Sequence, residues 1–189
     1  MNRITFLKSL LGVSLVPTAT LAAKSTEKAP VASLAADAQR VRRELLAAWA
    51  ASEKMSLVTV NQMPADGFSF CYAPGAMSYA QQWRHCCQFT TSQLTARLGL
   101  PDPYANRGPS TTETKRDVVA EVKNLYAFVR KTIETTPDAA LFVDTDYLGD
   151  ELPIWRLFYA LENHIIHHRG QCMVYLRLKG VTPEGYLGW

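Results

Sequence analysis

"LPIWRLFYALENHIIHHRGQCMVYLRLKG", residues 152–180, decides how the rest of the chain is read. After Pro153 it contains no further proline, and Gly180 supplies a helix stop. An α-helix turns about 100° per residue. With His164 at zero, Leu157 and Tyr175 fall at roughly 20°, His168 at roughly 40° and Leu161 at roughly 60°. Ile154 and Cys172 follow at roughly 80°, and Ile165 at roughly 100°. These residues form one apolar face, so the stretch reads as an amphipathic helix from about Leu152 to Leu178. His168 lies within the face and His164 on its edge. His167, at roughly 300°, looks elsewhere, beside Asn163 and Val174.

Three comparable segments precede it. Ser33 can cap a first helix, and Leu34, Ala38, Val41, Leu45, Ala48, Trp49 and Met55 keep helical spacing up to a stop at Pro64. After the aromatic loop "ADGFSFCYAPGAM", a second helix is expected from about Ser78 to Leu98. "GLPDPYANRGPS" interrupts the pattern. A third helix begins near Thr114, with Asp117 in its first turn. Its stripe is Val118, Val122, Leu125, Val129 and Ile133, and Pro137 follows its end. The acidic segment "FVDTDYLGDELP" resembles a calcium loop only briefly. Leu148 takes a ligand position, and Trp155 stands where the closing glutamate belongs. It reads as a solvated connection, with Asp150 capping the fourth helix. No strand pattern competes, so the fold class is all-α, a four-helix bundle in one domain over residues 33–189.

The first 23 residues have another character. Basic residues open them, an apolar stretch runs from Ile4 to Val16, and small residues follow at Ala19, Ala22 and Ala23. This is the order of a secretory signal peptide, too short for a comfortable membrane span. Residues 24–32 then read as a linker. The expectation is an exported, periplasmic protein with no stable membrane insertion once the leader is removed. An uncleaved arm on a cytoplasmic protein is the alternative. Without the leader, 18 basic residues face 17 acidic ones, and no basic run stands out. A nucleic-acid partner therefore has no electrostatic support. The four cysteines, Cys71, Cys86, Cys87 and Cys172, could oxidise in an exported protein or stay as buried thiols.

The chain has four histidines, and three of them fall within residues 164–168. His164 and His168, one turn apart on the inward face, can reach one metal ion. The other reading is a half-buried pair bonded to neighbours, which must then find a partner for every ring nitrogen. Ile165 stands where an H-E-x-x-H motif carries its glutamate, so that protease arrangement is absent. Cys172 sits about 12 Å along the axis from His164, too far to share one ion, and reads as core. His85, on the second helix with Gln82, Phe89 and Ala96, is the natural third ligand. Three histidines from two helices leave coordination positions open, as catalytic sites do.

"HIIHHRGQCMVYLRLKGVTP" and "MPADGFSFCYAPGAMSYAQQWRH" resemble the fourth-helix signature and the second-helix approach of the DinB/YfiT-like family of metal-binding four-helix proteins. The resemblance covers roughly residues 33–185. It implies a metal triad of His85, His164 and His168 holding a divalent ion, usually zinc or nickel, and a homodimer in many members. It also implies, for some relatives, thiol-dependent transfer or isomerisation. Arg169 and Gln171 belong to the motif. Gln171 lies close in angle to His164 and could orient a ligand or bind substrate, whereas Arg169 reads as helix packing or an ion pair. The functional expectation is a metal-dependent enzyme, of hydrolase or thiol-dependent transferase type, acting on an unidentified small molecule. The alternative is a non-catalytic metal- or ligand-binding scaffold or sensor.

Overall fold

The computed structural model describes residues 31–105 and 114–188. The expected leader, 1–23, and linker residues 24–30 lie outside them. Four helices carry the fold: α1 (Val31–Gln62), α2 (Tyr79–Leu98), α3 (Lys115–Thr135) and α4 (Ile154–Leu178). α1 and α2 stand on opposite sides of the bundle, each packed against both α3 and α4. Among the described residues, no helix is long and apolar enough to cross a membrane.

Local chemistry sets most of the boundaries. Ser78 caps α2 in a two-way box: its hydroxyl accepts from Gln81 N–H, and Gln81 Oε1 accepts from Ser78 N–H. Gly99, at φ 63°, ends the helix in the left-handed conformation and returns its N–H to Thr95 O. Thr114 caps α3 by accepting from Asp117 N–H. α1 is already helical at Val31, so Ser33 lies within the helix rather than at its cap.

The connection before α4 differs from the expected irregular loop. Asp144–Tyr147 and Asp150–Pro153 pair as an antiparallel hairpin, β1 and β2. Leu148 (φ 56°) and Gly149 (φ 92°) form its two-residue turn, both with positive φ, as the right-handed twist of the strands requires. Asp150 pairs with Tyr147 instead of capping α4. Pro153 precedes α4 without a side-chain cap, and Ile154 N–H is satisfied by Val143 O. Arg97, in the last turn of α2, donates to Asp146 O at 2.7 Å and pins the hairpin beside α2.

The core is apolar along α3 and α4, with Val118, Val122, Leu157, Leu161 and Cys172 buried. On α1 the buried face changes character. Leu45 and Trp49 are followed by Ser52, Ser56 and Thr59, all buried. The hydroxyls of Ser52 and Ser56 meet Tyr126 Oη of α3 at 3.1 and 2.7 Å. Arg169 of α4 donates to Ser52 O, Ser52 Oγ and Ser56 Oγ within 3.3 Å. The helix-packing role expected of Arg169 thus takes the form of a buried polar seam between α4 and α1.

Candidate metal centre

α2 and α4 run antiparallel, so His85 of α2 comes level with the turn of α4 that carries His164 and His168. His164 Nε2 lies 3.1 Å from His85 Nε2 and 3.1 Å from His168 Nε2. The three ligating nitrogens all fall within 4.8 Å of one another. Nitrogens bound to one zinc at about 2.1 Å, at tetrahedral angles, would stand roughly 3.4 Å apart. Among the described residues, no Cys, Asp or Glu joins this group.

The surroundings favour neutral rings. Burial, reinforced by the other histidines, lowers the pKa of both His164 and His168 to about 4. Burial also lowers that of His85. Lone pairs are therefore free near neutral pH, the state a metal needs. Phe89, one turn beyond His85, lies against His164 with ring centroids 4.4 Å apart and forms an apolar wall.

Protons alone leave the cluster unsatisfied. His168 Nδ1 lies 2.5 Å from Gln82 Oε1, an acceptor, so the proton of His168 belongs on Nδ1. Its Nε2 then carries a lone pair aimed into the cluster. His164 Nε2 faces two imidazole nitrogens and has one position for a hydrogen. His164 Nδ1, on the far side of the ring, is buried without a partner with or without an ion. A cation between the three Nε2 atoms satisfies all of them at once, and a single shared proton does not. The residues present thus fit a divalent metal ion.

A model of the DinB family matches residues 34–187. The chain belongs to the DinB family. Solved DinB-like proteins share the fold. One from Bacillus cereus aligns with TM-score 0.65 at 19% identity, over 75% of this chain and 94% of its own. One from Bacillus subtilis aligns with TM-score 0.61 at 19% identity, over 76% of this chain and 97% of its own. A comparison with curated proteins found no match. This DinB-family chain is thus an all-α bundle, as its helical spacing implies, with a three-histidine group that could hold a metal ion.

The other singled-out residues fall outside the cluster. His167 is exposed and accepts a hydrogen bond from Gln171 on its own helix, at 2.7 Å. One helical turn brings the two side chains together. Cys172 is fully buried in the core. All four cysteines are free thiols; Cys86, Cys87 and Cys172 are buried and Cys71 is exposed. Trp83 and Tyr175 are buried aromatics, and Tyr175 Oη donates to Met77 O. Gln82 was legible only as a polar residue on the His85 face. Its contact with His168 depends on the register of α2 against α4, which spacing within one helix does not reveal.

Proposed function

We propose that this DinB-family protein is a metal-dependent enzyme holding one divalent ion, zinc or nickel, on His85, His164 and His168. One observation carries the reading. Three imidazole nitrogens, kept neutral by burial, converge from two helices, and among the described residues no fourth protein ligand joins them. A site with three protein ligands keeps a position for substrate or water. The bound ion would supply Lewis acidity and activate water near neutral pH. The chain's own contribution is to hold three uncharged donors and to wall one side with Phe89. The reaction class proposed is hydrolysis or thiol-dependent transfer on a small molecule.

A second reading has its own support. Among the described residues no carboxylate stands at the cluster to act as general base; Glu162, two residues before His164, is buried near Ser52 and Arg169 instead. That favours a scaffold or sensor that binds without turnover. Metal-free and metal-restored protein should be assayed against chromogenic esters and phosphoesters, and against an electrophile with a small thiol. Turnover that returns with metal and is lost in His85→Ala supports the enzyme. A fully loaded protein inert to every class favours the scaffold.

Export to the periplasm and self-association into a homodimer complete the proposal. The order of basic, apolar and small residues over 1–23 supports export. N-terminal sequencing of natively produced protein tests it: a start near residue 23 or 24 agrees, and an intact Met1 in cytoplasmic protein does not. Light scattering tests the dimer.

A further inference from the structure

A file of hydrogen bonds leaves the histidine cluster through its buried side. Gln82 lies on α2 one turn before His85 and is 3% exposed. Its Oε1 faces His168 Nδ1 at 2.5 Å. Its Nε2 donates to Gln171 Oε1 at 3.0 Å, and Gln171 Nε2 meets His167 Nε2 at 2.7 Å. A side-chain amide has a donor end and an acceptor end, so each link fixes the orientation of the next.

Such a file can run in two directions. In one, His168 Nδ1–H donates to Gln82, Gln82 donates to Gln171, and Gln171 donates to His167. His168 Nε2 is then a bare lone pair directed at His164. In the other, the Gln82 amide donates to His168 Nδ1. That moves the ring proton to Nε2 and blocks it as a ligand. The amide orientations in this structure belong to the first direction. The buried Gln82 cannot turn over alone, because both of its bonds would then oppose like ends.

We propose that Gln82 and Gln171 are positioning residues that hold His168 in its Nδ1–H tautomer, so that Nε2 is ready for a metal ion before the ion arrives. The inference rests on the metal reading of the cluster and deepens it. An amide performs this task without adding charge, which leaves the ion's full positive charge to act on substrate. Partners of this kind behind a ligating histidine typically account for a factor of about 10–100 in metal affinity.

The test compares wild-type protein with Gln82→Met and Gln82→Glu. Glutamate keeps an acceptor facing His168, and methionine removes it while filling a similar space. Long-range proton–nitrogen NMR of the metal-free proteins reads the tautomer of His168. Chelator competition reads zinc affinity. Wild type and Gln82→Glu should show the Nδ1–H form. Gln82→Met should show mixed tautomers and bind zinc about 10–100-fold more weakly, with Gln82→Glu restoring most of the loss. Gln171→Leu, which frees the Gln82 amide to turn, should change both readouts in the same direction and less. A folded Gln82→Met or Gln171→Leu protein with an unchanged tautomer and full affinity overturns the positioning role. Wild-type protein that shows the tautomer but binds neither zinc nor nickel overturns the metal reading instead.

Discussion

His85 and His164 bring their Nε2 atoms 3.1 Å apart across the α2–α4 interface, although 79 positions separate them in the chain. That approach turns a histidine pair on one helix into a three-nitrogen cluster. It also makes the cluster a property of the folded bundle, because the third donor arrives only when α2 packs in register with α4. Occupancy of the site should therefore stabilise the fold as well as serve chemistry. Metal-free protein should melt lower than zinc-loaded protein, by an amount that grows with free zinc, and calorimetry would show it. Equal midpoints with and without saturating zinc would contradict this.

Two adjacent histidines should behave in opposite ways. His168 is 8% exposed and faces the cluster, whereas His167 is exposed and bonds Gln171. His168→Ala should empty the site. His167→Ala should leave it filled, with affinity reduced at most a few-fold, since water can replace the outer end of the file. Metal analysis of both variants, each shown to be folded, checks the contrast.

Acid should weaken the metal-free fold in a defined window. His164 and His168 have their pKa lowered from 6.5 to about 4, first by burial and then by neighbouring histidines, His85 among them in both cases. Below pH 6.5 the unfolded chain takes up protons that the folded chain refuses until about pH 4. Stability is therefore kept above pH 6.5 and lost as pH falls towards 4. Thermal midpoints between pH 7 and pH 4.5 should fall in wild type. A His164→Gln/His168→Gln double variant should give a flatter curve.

Much of this was legible from one helix. The angular positions of His164, His167 and His168 follow from the helical turn, and the structure brings His164 and His168 together with His85 while leaving His167 outside. The helix starts near Ser78 and Thr114 and the stop at Gly180 were equally local signals, whereas Ser33 and Asp150, expected as caps, lie within α1 and in the hairpin. What the sequence concealed was non-local or masked. The Gln82–His168 contact depends on how α2 and α4 are staggered. The α1 seam is buried because partners arrive from other helices, Tyr126 and Arg169 at Ser52 and Ser56 and Tyr79 at Thr59. The hairpin was hidden because Leu148, not asparagine, takes the first positive-φ turn position ahead of Gly149.

That turn yields a stability prediction. Leu148 is 74% exposed, so its side chain gains little from packing while its backbone pays for the left-handed conformation. Asparagine tolerates that conformation and suits a turn of this type. Leu148→Asn should stabilise the fold by about 0.5–1 kcal/mol, measured by urea unfolding.

The seam should respond in the opposite direction. Arg169→Ala removes three donated bonds to α1 and leaves Glu162 buried beside the gap. A loss of about 3 kcal/mol is expected. Chemical denaturation checks it, and Arg169→Lys should recover only part of the loss, because all three bonds are donated from Nη1 and the lysine side chain ends one bond short of that atom.

Crystals of the protein purified without a histidine tag and grown with zinc would locate the ion directly by its anomalous scattering. A single strong peak per chain within about 2.3 Å of the Nε2 atoms of His85, His164 and His168 is the expected result. A map in which zinc-saturated protein shows no peak among these three nitrogens, or in which the ion sits on His167, would contradict it.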